Sequence, residues 1–195
     1  DANIGPFSLE AMRNAMSGYY GLVDHIDDSI AFFLGRAFNH GVAGADQPTW
    51  IIFTSDHGEL LGDHHLFRKV LPYEGSTHVP MLVSSRNIEQ PAVKSDAVAC
   101  LEDIAPTILD MAGITIPEQV DGQSLLPIVE GKTESLDRDC LFGEHSGPQA
   151  NHWIIRGTEK YVWYAPTHEA QPLDLANDPP DKQDLSAATS RLATS

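Results

Sequence analysis

Apolar and polar residues follow a helical period along the first forty positions of the chain. Ser8 can cap a helix start, and Gly41 is a natural helix end. Between them apolar side chains recur at steps of three and four residues, which predicts one long amphipathic helix. They are Leu9, Met12, Met16, Tyr19, Tyr20, Val23, Ile26, Ile30, Phe33, Leu34 and Phe38. Gly18 and Gly21 interrupt the pattern and predict close packing against a neighbour or a local bend.

Two apolar runs in the middle of the chain predict strands. Trp50–Thr54 is continuously apolar, as expected of a buried strand, and a second run follows at 79–84. The long segment between them carries many charged and histidine residues, and a loop of this length in a compact domain is typically functional. A second helix is predicted within 100–113, ending at Gly113, and a short helical turn near Pro127.

The pattern changes beyond about Asp137. Short runs at 140–143, 152–156 and 160–163 predict strands, Gly157-Thr158-Glu159 has the composition of a hairpin turn, and 172–175 adds an edge strand. We therefore divide the chain at residue 136. Residues 1–136 are predicted to be α/β, and residues 137–195 are predicted to be a small antiparallel α+β subdomain with a frayed or weakly helical end.

Composition and charge narrow the possible functions. The 195 residues are 42% hydrophobic, enough for a core, and 12 basic against 28 acidic residues give a formal charge of −16. This charge argues against nucleic acid or an anionic membrane as a partner. No apolar run approaches the roughly 20 residues of a membrane span. Cys100 and Cys140 have neither a redox nor a zinc spacing, and we expect free thiols, with one disulfide as the alternative.

The first predicted strand ends in a polar cluster, Asp56-His57-Gly58-Glu59. Asp56 and His57 offer a hard oxygen and an imidazole nitrogen, and Gly58 permits a sharp turn that can aim both at one ion. Open α/β enzymes place ligands at the carboxyl edge of the sheet, so the cluster predicts a metal site. For the isolated pair, the alternative is a helix cap with a packed histidine.

Further short motifs occur in order along the chain. They are Tyr19-Tyr20-Gly21 with Ile26-Asp27-Asp28, Ser55-Asp56-His57-Gly58-Glu59 with Leu61-Gly62-Asp63-His64, Lys69 with Tyr73-Glu74 and Val79-Pro80, Asp103-Ile104-Ala105-Pro106-Thr107 with Ala112-Gly113, Asp121-Gly122-Gln123-Ser124-Leu125, and Asp174-Leu175 with Asn177-Asp178-Pro179. Together they resemble the sulfatase family of the alkaline-phosphatase superfamily. The resemblance implies the second half of an alkaline-phosphatase-like mixed sheet flanked by helices, an α/β fold, plus a small C-terminal antiparallel subdomain.

The resemblance implies roles for three residues. Asp56 and His57 match the family's metal ligands, usually for Ca²⁺, and His57 in place of the commoner Asn makes Mn²⁺ or Zn²⁺ alternatives. Lys69 matches the lysine that contacts a non-bridging oxygen of the sulfate ester, so it is the predicted catalytic residue. A divalent cation and an ammonium group together stabilise the charge of a transferring sulfuryl group.

Other parts of the family's site have no match in this sequence. Neither Cys100 nor Cys140 lies in the C/S-x-P/A-x-R motif that yields the formylglycine nucleophile, and the N-terminal acidic pair of the metal site is not found. We therefore expect the C-terminal part of a longer sulfatase, with formylglycine outside this chain and half a site within it. Such a piece is expected to expose apolar surface and to be poorly soluble or to form homo-oligomers.

The expected substrate is a sulfate-ester small molecule or a sulfated carbohydrate, and the resemblance favours a periplasmic or secreted enzyme. Two alternatives stay open: a phosphonate monoester or phosphodiester hydrolase of the same superfamily, and a non-catalytic remnant. His64 is either a packed loop residue or a substrate contact. Trp153 and Trp163 are either core residues of the small sheet or part of a sugar-binding surface.

Overall fold

The computed structural model describes residues 5–43, 49–85 and 94–186. In chain order its helices and strands are α1 (Leu9–Asn39), β1 (Trp50–Thr54), α2 (Glu74–Thr77), β2 (Met81–Ser85), α3 (Ile104–Met111), α4 (Leu126–Val129), β3 (Leu141–His145), β4 (Asn151–Arg156), β5 (Glu159–Tyr164) and β6 (Glu169–Asp174). Short 3-10 turns occupy Asp63–His65 and Leu101–Asp103. The helical turn predicted near Pro127 is α4, and the predicted fraying of the last residues falls largely outside the described ranges.

Helix α1 agrees with the prediction at both ends. Ser8 Oγ accepts a hydrogen bond from Ala11 N at 3.1 Å, and after the helix the chain turns at Gly41, whose φ is +68°. None of the residues of α1 is buried. Many of its large apolar side chains are exposed, including Leu9, Tyr20, Leu22, Ile26, Phe32 and Phe33, and others, such as Met12, Ile30 and Leu34, are half-buried. The packing predicted at Gly18 and Gly21 has no partner in the described chain, because no atom lies within 4 Å of where a Cβ would stand.

Strands β1 and β2 form an antiparallel pair in which Thr54 lies opposite Met81. β2 begins later than predicted, after Pro80, which has no N–H to donate to a strand ladder. β1 is half-buried rather than fully buried as predicted, and Phe53 is exposed. Residues 55–80 join the end of β1 to the start of β2, so they form a long connection at one edge of this pair.

The predicted second helix is the 3-10 turn Leu101–Asp103 followed directly by α3. Pro106 lies buried in the first turn of α3, where its missing N–H leaves no intrahelical bond unmade. Gly113 ends the helix at φ +67°. The N–H of Gly113 donates to Asp110 O at 2.9 Å, and the N–H of Ile114 donates to Leu109 O at 2.9 Å. These two hydrogen bonds form the Schellman motif that commonly ends a helix.

A buried ion pair joins α3 to the segment that leads into the C-terminal strands. Asp103 is fully buried, and the guanidinium of Arg138 donates to both of its carboxylate oxygens at 2.7 and 2.8 Å. The backbone amides of Gln123 and Cys100 donate to the same carboxylate at 2.8 and 2.9 Å. Burial alone raises the pKa of Asp103, but the hydrogen bonds outweigh it and hold that pKa below its ordinary value. The pair is a fixed, fully hydrogen-bonded structural link.

The cysteines are free thiols, as expected, and each is half-buried. Burial, and then the charge of Asp103, raise the pKa of the Cys100 thiol. The structure thus keeps Cys100 in its neutral form, which suits a packing role rather than a nucleophilic one.

Strands β3 to β6 form the predicted antiparallel sheet, and the structure places its four strands in sequential order. Gly157-Thr158 makes the two-residue turn between β4 and β5, with Gly157 at φ +59°. The edge strand β6 begins three residues earlier than predicted. Lys160, Val162 and Leu173 are buried on the face of this sheet that meets the rest of the chain.

The two tryptophans of this sheet lie on opposite faces. Trp153 is opposite Val162 on the inner face, and its indole covers Gly143 so closely that a Cβ there would lie 2.2 Å from ring atoms. Trp163 lies on the outer face, where its ring is 5.6 Å from that of His152 and 5.9 Å from that of His168. Trp153 is therefore a packed residue, and Trp163 belongs to a half-exposed row of rings.

Candidate active site

The residues predicted to bind metal follow β1 directly and are oriented by local hydrogen bonds. Ser55 Oγ donates to the carbonyl oxygen of His57 at 2.7 Å, which turns the chain immediately after the strand. The backbone N–H of His57 donates to Asp56 Oδ1 at 3.0 Å. The second carboxylate oxygen of Asp56 lies 3.4 Å from His57 Nε2. The two donor atoms thus converge on one point at the end of the strand.

The backbone also fixes which nitrogen of His57 is available. His57 Nδ1 lies 2.9 Å from the carbonyl oxygen of Gly58, so this nitrogen carries the proton and donates. The assignment leaves a lone pair on Nε2, which is the arrangement that metal-binding histidines use. The side chain of Asp56 is 83% exposed and that of His57 is 37% exposed, so the Asp56 carboxylate is open to solvent and the imidazole of His57 is partly covered.

Lys69 contacts the same point from twelve residues along the chain. Its ammonium Nζ lies in hydrogen-bonding contact with His57 Nε2. The positively charged ammonium of Lys69 therefore lies next to Asp56 and His57, the donor pair that the sequence predicts to bind a metal cation. The structure brings together all three predicted site residues, Asp56, His57 and Lys69, although the sequence alone gave no distance between them.

The position of Lys69 depends on the short helix α2. Ser76 is buried, and its hydroxyl donates to the carbonyl oxygen of Lys69 at 2.9 Å. The carbonyl of Ser76 accepts from the N–H of Gly58 at 2.8 Å. A Cβ at Gly58 would lie 2.1 Å from the carbonyl oxygen of Gly75, so only glycine permits this approach. Helix α2 therefore fixes the position of Lys69 relative to the turn that follows β1.

The loop between Glu59 and Lys69 is held in an unusual backbone conformation. Four non-glycine residues have positive φ: Leu61, His64, His65 and Arg68, at 50°, 54°, 58° and 76°. Such conformations persist where the surroundings enforce them, and they are common at functional sites. Here Glu59 Oε1 accepts the N–H groups of Leu61 and Arg68 at 3.1 and 2.5 Å. That carboxylate is therefore occupied by the backbone rather than directed at the donor pair.

The structure places His64 away from Asp56 and His57. Its ring stacks on Tyr73 with centroids 3.6 Å apart, and its Nε2 lies 3.4 Å from Asp181 Oδ1. These contacts favour the packing role for His64 over the substrate contact. His78 pairs through Nδ1 with Glu74 Oε2 at 3.0 Å. The contacts of the two histidines are therefore with residues in and around α2, not with Asp56 or His57.

The donor set fits part of a divalent-cation site. A carboxylate oxygen and a neutral imidazole nitrogen are ligands that Ca²⁺, Mn²⁺ or Zn²⁺ accept to different degrees. Across residues 5–43, 49–85 and 94–186 the structure has no group of three or more histidine, cysteine or acidic side chains placed to hold a metal. Asp27 and Asp28 are exposed on α1. Within the described residues, Asp56 and His57 alone are too few ligands to hold a metal ion.

Sequence reasoning missed the polar residues that connect the site to the C-terminal sheet. Lys160 Nζ lies 2.9 Å from both Glu74 Oε1 and Asp181 Oδ2, and the hydroxyls of Tyr73 and Tyr164 share Gln171 Oε1 at 3.1 and 3.0 Å. A clue was available for Lys160, since the period of two in β5 places it on the same face as Val162. A charged residue on a buried face indicates a partner. Its partners lie 86 and 21 residues away, which no local pattern reveals.

At the end of β1 the described residues thus place an adjacent carboxylate and imidazole, Asp56 and His57, with the ammonium of Lys69 in contact with the imidazole. Comparison with known families gives the particular class. The sulfatase family matches residues 2–114, and the family described as N-sulphoglucosamine sulphohydrolase, C-terminal, matches residues 62–193. The chain belongs to the sulfatase family, whose members are in general metal-dependent.

Individual relatives agree with this membership. An arylsulfatase of Clostridium perfringens (strain 13 / Type A) is 38% identical over 185 residues, which is 93% of this chain and 38% of the relative. The chain therefore spans little more than a third of the length of that relative.

Solved structures confirm the predicted α/β fold. A protein in complex with its substrate D-glucosamine-2-N,6-O-disulfate has a TM-score of 0.77 at 23% identity, over 88% of this chain and 36% of its own. Phosphonate monoester hydrolase of Agrobacterium radiobacter has a TM-score of 0.73 at 27% identity, over 90% of this chain and 38% of its own. Among the helices that the structure describes, none combines the length and apolar character needed to cross a bilayer.

Proposed function

We propose that the protein to which this chain belongs hydrolyses sulfuric esters, with Asp56 and His57 as metal ligands and Lys69 as the cation that binds the sulfuryl oxygens. The observation that carries the proposal is the convergence of these three side chains at the end of β1 in a chain of the sulfatase family. Sequence proximity explains only the adjacent pair. Lys69 comes from the far side of a loop whose backbone is fixed by Glu59 and α2.

The chemistry follows from the charges at this point. A bound divalent cation supplies Lewis acidity toward a sulfuryl oxygen. In this chain, Gly58 O holds the proton on His57 Nδ1 and so keeps Nε2 available as a ligand. The ammonium of Lys69 lies against Nε2, so Asp56 and His57 would hold a metal ion beside it, and Lys69 would bind a non-bridging oxygen of the ester. Ca²⁺ is the first candidate metal, and the imidazole of His57 keeps Mn²⁺ and Zn²⁺ as alternatives.

The proposed reaction also needs a nucleophile and further metal ligands, which the described residues do not supply. We expect formylglycine as the nucleophile, supplied outside residues 1–195. The division of the chain into 1–136, part of the catalytic domain, and 137–195, the C-terminal subdomain, likewise stays a prediction. The substrate class is a sulfated carbohydrate or a small sulfate ester, and the solved neighbour with a disulfated glucosamine supports the carbohydrate. A secreted or periplasmic location is in keeping with such a substrate.

A second candidate is hydrolysis of phosphonate monoesters. It is favoured by the match to the Agrobacterium radiobacter enzyme over 90% of this chain. Phosphoryl and sulfuryl groups have similar shape and charge distribution, so the same cation and lysine serve both. The identity to the arylsulfatase of Clostridium perfringens, 38% against 27% for the phosphonate hydrolase, places sulfuric esters first.

The test compares two substrates on the full-length protein that contains this chain. We expect p-nitrophenyl sulfate to be hydrolysed with a higher kcat/KM than p-nitrophenyl phenylphosphonate, and Lys69→Ala to reduce both. Lys132→Ala, which removes an exposed lysine paired with Glu130, is the matched control and should leave both rates unchanged. A higher kcat/KM on the phosphonate would reverse the order of the two functions. Turnover of neither substrate would favour the non-catalytic remnant.

A further inference from the structure

We propose that Lys160, in the C-terminal sheet, is a positioning residue for the Asp56, His57 and Lys69 site and acts through helix α2. The inference rests on the proposed function, since it names what holds that site in shape. Its core is two sets of hydrogen bonds joined by the backbone of α2: the buried ammonium of Lys160 bonds to Glu74 at the start of α2, and Ser76 of α2 bonds to the backbone of Gly58 and Lys69.

The first step is the burial of Lys160. Its side chain is inaccessible to solvent, and its Nζ lies 2.9 Å from Glu74 Oε1 and 2.9 Å from Asp181 Oδ2. Asp181 is equally inaccessible, and Glu74 is 14% exposed. A buried ammonium persists only where it is paired and hydrogen-bonded, and loss of one partner leaves an uncompensated buried charge. The three charges therefore fix one another's positions.

The second step joins this ion cluster to helix α2. Glu74 is the first residue of α2, and its backbone N–H donates to Asp181 Oδ2 at 3.0 Å. Its side chain meets Lys160 at the same time. The start of α2 is thus held through both its backbone and its side chain. Because α2 has only four residues, it has little helical stability of its own and depends on such contacts.

The third step runs from α2 to the site. Ser76 donates its hydroxyl to Lys69 O at 2.9 Å and accepts at its carbonyl from Gly58 N at 2.8 Å. The contact between α2 and the turn after β1 is close, because the position of a Cβ at Gly58 would be 2.1 Å from Gly75 O. A displacement of α2 therefore cannot be absorbed by a gap, and it moves Gly58 and Lys69.

These contacts give the C-terminal sheet a role beyond covering apolar surface. A shift of about 1 Å in a positioned group can reduce a rate about 10²-fold. The competing explanation is that Lys160 only fastens the sheet to the rest of the chain. That role would lower the stability of variants but leave the site of the folded molecules unchanged, and the two explanations therefore predict different measurements.

The experiment uses the full-length protein and measures hydrogen exchange, metal affinity and turnover at a temperature where every variant is folded. Lys160→Met keeps most of the apolar stem of the side chain and removes the ammonium. Asp181→Asn keeps the size of the side chain and weakens the same link, so it serves if Lys160→Met does not fold. Lys132→Met is the matched control, because Lys132 is exposed and its partner Glu130 lies outside those two sets of hydrogen bonds.

We expect both Lys160→Met and Asp181→Asn to speed hydrogen exchange over residues 56–69 while exchange in β3 and β4 changes less. Ca²⁺ affinity should fall, and kcat on p-nitrophenyl sulfate should fall at least tenfold, by analogy with misplaced catalytic groups, while KM changes by less than about threefold. Lys132→Met should match wild type throughout.

Unchanged exchange over 56–69 in folded Lys160→Met and Asp181→Asn would overturn the inference, even if their unfolding midpoints fall. Unchanged Ca²⁺ affinity and kcat in the two variants would overturn it as well. If the wild-type protein neither binds metal nor turns over an aryl sulfate, the proposed function fails. The exchange measurement then still decides whether Lys160 controls the shape of the loop.

Discussion

The buried pair Asp103 and Arg138 offers a quantitative test of how this chain is held together. In Arg138→Met the side chain keeps its apolar stem and loses the guanidinium. Asp103 then retains the two backbone N–H donors, from Gln123 and Cys100, but no counter-charge. The matched control is Arg156→Met. Arg156 donates to Asp139 at 2.8 Å in a similar contact that is open to water.

The magnitude of each change follows from burial. Side-chain exposure is 12% for Arg138 and 0% for Asp103, against 72% for Arg156 and 73% for Asp139. Breaking a buried pair by removing one partner costs about 3–5 kcal/mol. An exposed pair contributes about 0–1 kcal/mol. We therefore expect Arg138→Met to destabilise the full-length protein by several times as much as Arg156→Met, although the two contacts have nearly equal lengths.

Urea unfolding followed by tryptophan fluorescence measures both variants. The effect of Arg138→Met should also depend on pH, because the pKa of Asp103 is lower in the folded than in the unfolded state. A carboxylate of this kind contributes stability above its unfolded pKa of about 3.9 and loses it as pH falls through the folded value. The difference between wild type and Arg138→Met should thus be large at pH 7 and shrink below pH 4. Equal shifts for the two arginine variants, or a difference that grows in acid, would refute this reasoning.

Three further predictions concern the site and the exposed helix. Lys69→Ala should lower kcat on p-nitrophenyl sulfate about 10²–10³-fold, the usual loss for one oxyanion-binding group. Elemental analysis should find the same amount of bound metal per chain as in wild type. Loss of the metal as well would show that Lys69 mainly supports the ligands. Gly58→Ala should lower kcat about 10²-fold, because the new Cβ would lie 2.1 Å from Gly75 O and displace α2. A Gly58→Ala variant with the kinetics of wild type would contradict that close contact. The isolated 195-residue chain should form oligomers in light scattering because α1 exposes its apolar side chains, including Phe32 at 69%, and a stable monomer would be inconsistent with that exposure.

The parts of the fold that depend on local patterns could be predicted from the sequence. The cap at Ser8, the Schellman closure at Gly113 and the hairpin turn at Gly157 each need a particular residue at a particular place, and each occurs where the sequence indicates. Strand ends were less well defined. β2 starts after Pro80 and β6 starts earlier than its apolar run, because strand limits depend on pairing with another strand.

The donor pair of the candidate site was also visible in the sequence, since Asp56 and His57 are adjacent and follow a strand. The resemblance to the sulfatase family pointed to Lys69, but only the folded loop shows that it reaches His57 Nε2. The supports of the site were not predictable. Lys160 and Asp181 meet Glu74 across long separations in the sequence, and such contacts arise from tertiary packing rather than from any local period.

The incomplete donor set has a simple physical meaning. Two ligands near the surface of the chain do not enclose a cation, and many apolar side chains of α1 are exposed in the described residues. Both features are consistent with a chain that spans little more than a third of the length of the arylsulfatase it matches.

Metal content measured together with turnover in the full-length protein tests whether Asp56 and His57 hold a metal ion that the hydrolysis needs. We expect about one divalent ion per chain and hydrolysis of p-nitrophenyl sulfate in wild type, with both lost in Asp56→Ala and in His57→Ala. Asp139→Ala, which removes an exposed carboxylate just before β3, should retain both. Full metal occupancy and turnover in Asp56→Ala and His57→Ala would show that this pair does not hold the metal, and the assignment of the site would be wrong.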